Sequence, residues 1–372
     1  MNRAIIHKYL VSALLILTVV VSGAFCDAIP RKVQKGQEAW RSLKQAQNAF
    51  ESNDFVHAIQ FAEKAKEIRR QDAQWQSYTL ENTLRKAKVR KEHDVLDAVK
   101  VVLSELEMKE ALDIVDFHVK AKGIDYFSNK FSKLVEYMDF YSHYPEADYL
   151  LGKIYRLEGE FKIAAKYMEE AYKHSENLDV PMQKYDLLYD LADLSYDLDE
   201  KNNFEKYLLL IVKDDPYYRD EIFMKSILRI INENSKKSVE KFFLLYRCEN
   251  DLSLESLIKL CEFYSEIGES EKTLRCSALA SIIALTKIES VLSQRIIGYE
   301  YNGFEDALTK CSRYSDIVDW GNKNKIWEIF CILATSSADN GKINYSNELL
   351  KILSRAEPEE YWRDYASQKL IK

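Results

Sequence analysis

The sequence predicts an all-α chain, on three observations. Only 10 Gly and 5 Pro occur in 372 residues, too few for the tight turns of a sheet protein. Neither residue occurs from Gln37 through Lys122. Apolar positions such as Val99, Leu103, Leu106 with Met108 and Leu112, or Leu208, Ile211 and Val212, recur at the period of one helix face and not at the alternation of a strand. The segment from Trp75 to Glu107 predicts helices longer than the others, and the helix register of 71–144 is left open.

Residues 1–24 form a separate element. Arg3 and Lys8 precede a charge-free apolar run from Tyr9 to Val21, and Ser22-Gly23-Ala24 places small residues at a cleavage site, the pattern of an export signal peptide. The run is short of the ~20 residues that span a bilayer, so a retained N-terminal anchor is the alternative. Cys26 is a lipidation candidate after cleavage before it, although Phe25 occupies a position that ordinarily needs a small residue. Cleavage removes Arg3 and Lys8 and leaves 51 Lys and Arg against 60 Asp and Glu.

Residues 25–144 read as N-terminal helical repeats with a basic face. Asn53-Asp54-Phe55 followed by Ala58, Ala62 and Ala65 gives a turn and a helix with a small-residue seam. From Arg31 to Glu92 there are 14 Lys and Arg against 8 Asp and Glu. Arg85, Lys86 and Lys88, with Arg90 and Lys91, are the densest part and the candidate contact to an anionic membrane surface or an acidic protein near the N-terminus. The competing reading is the solvated face of a long amphipathic helix. Nucleic acid is excluded as a partner by the acidic balance, the export signal and the lack of a recognised binding module.

Residues 145–372 carry the most specific pattern. Between Pro145 and Tyr172, Leu151, Gly152 and Tyr155 share one helix, Gly159 frees a turn, and Phe161, Ala164, Met168 and Ala171 follow on a second. Small residues let two backbones approach, and positions three and four apart fall on one face. A glycine after the first helix accepts the left-handed conformation that ends it. The segment resembles a tetratricopeptide (TPR) repeat, with Leu151, Gly152, Tyr155, Gly159, Phe161, Ala164 and Ala171 as its signature. Asp148 stands where that pattern has a tryptophan, Met168 replaces an aromatic, and Glu176 replaces a closing proline.

Such units occur in arrays, because one hairpin cannot bury its own apolar face. The turn markers Asn53, Gly159, Gly268, Gly303 and Gly341 are separated by 106, 109, 35 and 38 residues, and each long gap divides into three steps of about 35. Missing turns then fall near Lys88, Gly123, Asn203 and Asn234. Gly303-Phe304 with Ala307, Tyr264 with Gly268, and Leu333, Ala334, Gly341, Leu350, Leu353 with Pro358 give further versions. The expected fold is a right-handed α-solenoid of about nine TPR-like helical hairpins, loosening across Asp186 to Asn203 and Arg313 to Lys325.

Catalytic, metal-binding and cofactor-binding residues are not expected, nor is a small-molecule substrate. The six histidines are dispersed and none sits in an H-E-x-x-H pattern; no nucleophile elbow or phosphate-binding glycine loop occurs. Acidic pairs such as Asp190 with Asp193 and Asp197 with Glu200 read as solvated helix faces. Cys248, Cys261, Cys276, Cys311 and Cys331 lack metal or C-x-x-C spacing and read as buried thiols, with a Cys261 to Cys276 bridge as the alternative.

What remains is binding. In arrays of the resembled family the first helices line a concave groove, and here Tyr149, Lys153 and Arg156 map to it as a strip suited to an acidic peptide; ordinary surface residues are the competing reading. The family's carboxylate clamp is not matched. The resemblance implies a non-enzymatic protein-interaction scaffold. With export it resembles structural TPR proteins of bacterial envelope machines, such as the periplasmic flagellar motor collar, whose partners are other proteins of the complex. An outer-membrane assembly or peptide-binding chaperone-like TPR lipoprotein is one alternative, and a helical envelope enzyme or enzyme subunit another.

Overall fold

A computed structural model describes residues 30–87, 100, 104, 141–246 and 251–370. The leader, Cys26, Lys88, Cys248, and the turns expected near Lys88 and Gly123 lie outside these residues. The described residues hold sixteen α-helices and no strand, so they are all-α and built largely of helical hairpins. They belong to two compact units, Met1–Glu158 with Lys173–Pro181, and Gly159–Tyr172 with Met182–Lys372.

In the first unit, α1 (Ala39–Glu51) and α2 (Phe55–Ala87) form an antiparallel hairpin. Leu43 and Ala46 of α1 and Ala58, Ala62 and Ala65 of α2 are buried. Asn53 makes the turn at φ 58°, a left-handed conformation that asparagine tolerates better than most side chains. Without Gly or Pro to stop it, α2 runs for 33 residues against 13 in α1; most of Trp75 to Glu107, where the longer helices are expected, lies outside the described residues. The third helix, α3 (Pro145–Leu157), packs on both. Proline leads it, where a missing N–H costs nothing, and Glu146 and Asp148 lie in its first turn, where the helix dipole favours acids. Asp148 is buried and pairs with Lys66 of α2 at 2.6 Å, so an ion pair occupies the place of the family's tryptophan. Glu146 accepts a hydrogen bond from the Asp179 N–H at 2.7 Å, and His143 stacks on His174 with centroids 3.6 Å apart.

The second unit begins with α4 (Phe161–Lys173), whose Ala164, Met168 and Ala171 are fully buried, after Gly159 at φ 80°. Its central stack is three hairpins. They are α5 (Gln183–Asp197) with α6 (Lys201–Val212), α10 (Leu254–Glu266) with α11 (Ser270–Arg295), and α14 (Ile326–Asp339) with α15 (Ile343–Ala356), closed by α16 (Glu360–Lys369). The second helix of each hairpin meets the first helix of the next, α6 on α10 and α11 on α14. The turn residues are Asp199, Gly268 and Gly341, at φ 58°, 78° and 75°. Each turn closes with the same long backbone bond at 2.8 Å, from Glu200 to Ser195, Glu269 to Tyr264 and Lys342 to Ser337. Asp54 to Ala49 repeats it in the first unit. This six-to-one bond satisfies a carbonyl that the helix end would leave bare.

Two turn positions differ from the sequence expectation. The α5–α6 turn falls at Asp199 and not at Asn203, which lies inside α6 with its amide donating to Glu200 at 2.7 Å. Gly303 is not a hairpin turn. It precedes α12 (Phe304–Cys311) at φ 107°, and a Cβ there would meet Glu240 at 2.9 Å. The preceding helix, α11, already serves as the partner of α10.

The hairpin of α8 (Glu221–Asn232) and α9 (Lys236–Phe243), preceded by the short α7 (Pro216–Arg219), does turn at Asn234. It leaves the stack, however, and lies across second helices, α8 on α11 and α9 on α15. Helix α12 also packs there, on α11 and α15, and α13 (Ser315–Lys323) packs on α14. The period is therefore legible, but alternate hairpins form a side layer. An aromatic cluster holds that layer in place. Phe243 of α9 stacks on Phe304 of α12 at 3.6 Å, and both meet Phe330 of α14 edge-on, at 5.9 and 5.1 Å. The Asn234 side chain accepts from the Asn344 and Tyr345 N–H groups and so caps α15 from 110 residues away. The segments expected to loosen, Asp186 to Asn203 and Arg313 to Lys325, are mostly helical and lie within this unit.

Helix α11 is long and apolar enough to cross a membrane, yet 72% of its most apolar window is buried inside the protein. It is a core helix. Cys261, Cys276, Cys311 and Cys331 are free and buried, as read from the sequence, without the alternative Cys261 to Cys276 bridge. Burial raises the Cys261 thiol well above its ordinary value and pushes Cys311 up to about 12.

Candidate binding cleft on the first helices

The stack places first helices α5 and α10 side by side, and α13 rises beside them to form a cleft of about 560 Å³. Its apolar lining is Leu254 and Ile258 of α10 with Trp320 of α13 and the ring of Tyr189 of α5. The Tyr189 hydroxyl donates to the Leu252 carbonyl at 3.1 Å and accepts from the Ser256 N–H at 3.2 Å. Burial raises that phenol to about 12, so it is a fixed neutral strut between the two hairpins.

Ion pairs border the cleft. Lys259 reaches Asp193 at 2.5 Å and Glu255 at 3.5 Å, Lys325 pairs with Glu262, and Lys287 pairs with Asp251. The Lys287 ammonium also lies 5.8 Å from the centre of the Trp320 ring. Burial works against the charge on Lys325, yet its bond to Glu262 holds its pKa above the ordinary value. Its backbone is left-handed at φ 55°, which costs a non-glycine residue about 1 kcal/mol. Such outliers concentrate where surrounding structure or function demands them. Close approach of α13 depends on Gly321, where a Cβ would fall 2.2 Å from the Trp327 indole.

Beyond the Lys287–Asp251 pair lies a second cavity of about 780 Å³, walled by Tyr246, Glu289, Tyr299 and Tyr301. Tyr299 donates to Glu289 at 2.5 Å, and burial raises the Glu289 carboxyl. Asp193, Asp251 and Glu262 of the main cleft are engaged with lysines, which suits salt-bridge partners better than proton carriers.

No protein-family model matches the chain. An uncharacterized protein of Treponema pallidum (strain Nichols) is 29% identical over 317 residues, covering 83% of this chain and 85% of that protein. Among solved structures, the TPR domain of P58(IPK) aligns with 90% of this chain and 88% of its own, at 12% identity and a TM-score of 0.19.

The residues singled out from sequence are placed as follows. Tyr149, Lys153 and Arg156 share one face of α3. Tyr149 is 9% exposed, and the Lys153 ammonium lies 4.5 Å from the Tyr149 ring centre and 6.0 Å from that of Phe50 on α1. Arg85 and Lys86 lie at the end of α2. Leu151 and Ile154 are fully buried. Of the tyrosines, Tyr144, Tyr207, Tyr264 and Tyr345 are core residues, whereas Tyr196 and Tyr361 are exposed. Sequence reasoning missed Tyr189, Ile258, Lys259 and Trp320. The signal that could have found Tyr189 and Ile258 is their common offset of ten residues before the turns Asp199 and Gly268, with Lys259 next to Ile258.

Proposed function

We propose that this protein is a non-enzymatic, exported scaffold that holds partner proteins through the first-helix cleft, as a structural part of a bacterial envelope assembly such as a periplasmic flagellar motor collar. The observation that carries the reading is the cleft itself. Leu254 and Ile258 of the first helix α10 and Trp320 of the adjoining α13 form an apolar floor inside a border of lysine–carboxylate pairs, the arrangement of a polypeptide site with a buried centre and polar rim. The export pattern of residues 1–24 supports the compartment, and the relative from Treponema pallidum supports a bacterial setting. The strip Tyr149, Lys153 and Arg156 serves as a further contact on the first unit.

Site-specific photocrosslinking in intact cells tests this. A photoreactive residue replacing Trp320 or Lys323 is expected to capture defined envelope proteins, identified by mass spectrometry. Absence of adducts at both positions, in cells where the protein accumulates normally, would overturn the reading.

A further inference from the structure

The first unit carries a cleft of its own, of about 730 Å³, between α1, α2 and residues 31–37. Five cations line it: Arg31, Lys32, Arg41, Lys44 and Lys64. One carboxylate does, Glu38, and it is occupied by the Gly36 N–H at 3.0 Å and Arg41 at 2.7 Å, which hold its pKa down at about 2. Trp40, 57% exposed, lies at its rim under the Arg41 guanidinium, 4.6 Å from the ring centre. This is a concave basic site with an aromatic handle. A bilayer is flat on this scale and cannot follow walls inward, so the shape favours a narrow acidic protein feature over lipid head groups.

The second unit displays such a feature. The α5–α6 and α10–α11 turns belong to adjacent hairpins of the stack and lie on one edge. They expose Asp197, Asp199 and Glu200 on the first tip and Glu266, Glu269 and Glu271 on the second. Tyr196 and Ile267 stand among these acids, 60% and 44% exposed. Six carboxylates and two apolar side chains, with Lys201 and Lys272 also exposed on these tips, leave a net acidic edge that complements five cations beside a tryptophan. We propose that the acidic turn edge of one copy docks into the basic cleft of a second copy, giving head-to-tail self-association. Because the two surfaces differ, each copy in a pair keeps one unused surface, and the contact propagates into a closed ring or an open filament.

Two charge-reversed variants of the full chain test this. Lys44→Glu with Lys64→Glu disables the cleft. Asp197→Lys with Glu266→Lys disables the edge, and places lysines at helix C-terminal turns, where the dipole favours them. Circular dichroism melts confirm that both fold. In sedimentation velocity at low salt, the wild-type chain is expected to form concentration-dependent oligomers that weaken as salt screens the contact. Each variant alone should associate at least about tenfold more weakly. An equimolar mixture should associate again, since it restores one native pair of surfaces and matches the reversed cleft to the reversed edge. A monomeric wild-type chain, association indifferent to either variant, or a mixture that does not pair would overturn the proposal. So would a cleft variant whose sole defect is lost binding to phosphatidylglycerol vesicles. None of these outcomes bears on crosslinking at Trp320, so this inference and the proposed function fail separately.

Discussion

Replacing Phe304 by alanine removes the ring that joins the side layer to the stack. Phe304 is fully buried, stacked on Phe243 at 3.6 Å with planes 9° apart, and edge-on to Phe330 at 5.1 Å and 77°. Truncating a buried phenylalanine costs about 3–5 kcal/mol. Two ring pairs worth about 0.5–1.5 kcal/mol each are lost with it, which places this site in the upper half of that range. For a unit of this size 1 kcal/mol moves the midpoint by about 2–4 °C, so Phe304→Ala should lower Tm by about 10–15 °C. Circular dichroism at 222 nm reads the melt. Phe304→Leu, which keeps much of the volume, should lose less than half as much. A shift under about 3 °C for the alanine variant would refute the claim that this cluster holds α9, α12 and α14 together.

Further expectations follow from particular groups. Glu357 is 1% exposed with neither carboxyl oxygen hydrogen-bonded among the described residues, and burial raises its pKa well above 4.5. The unfolded chain ionises near 4.5 while the folded chain keeps the proton, so stability from this group is full below that pH and falls as pH rises. Glu357→Gln should therefore gain Tm over wild type on going from pH 4 to pH 7.5; parallel curves would contradict it. Asn234→Ala removes two hydrogen bonds to the start of α15 and should cost about 1–2 kcal/mol in denaturant titration, an unchanged midpoint being the contrary result. Gly321→Ala drives a Cβ into the Trp327 indole and should cost about 1–3 kcal/mol, visible also as a shifted tryptophan emission. In a Cys26→Ser, Cys248→Ser background the four buried thiols should resist Ellman's reagent until denaturant is added. Rapid native labelling would show that the cores around Cys261, Cys276, Cys311 and Cys331 open.

What could be read from the chain divides along a physical line. Turns built on Asn53, Gly159, Gly268 and Gly341 were legible because positive φ restricts the residue type, and the helix class followed from the shortage of Gly and Pro. Asp199 was not legible, since aspartate in that conformation looks like aspartate anywhere, and the neighbouring Asn203 drew the turn four residues too far. The departure of the α8–α9 hairpin from the stack depends on Phe243 meeting Phe304 and Phe330, contacts between residues distant in sequence that no local pattern encodes. The basic surplus of the first unit was countable, but its concentration in Arg31, Lys32, Arg41, Lys44 and Lys64 around one cleft required the hairpin to be folded. The ion pair of Lys66 with Asp148 likewise explains a departure from the repeat pattern that the sequence could only record.

Hydrogen exchange read by mass spectrometry tests most directly whether tandem hairpins share one core. The slowest amides should lie in α11 and α14, whose Ala278 to Leu285 and Ile326 to Ala334 stretches are almost wholly buried, with α10 and α15 close behind and the turns at Asp199, Gly268 and Gly341 fastest. Exchange of α11 and α14 within seconds, at the rate of those turns, would show that the hairpins do not protect one another.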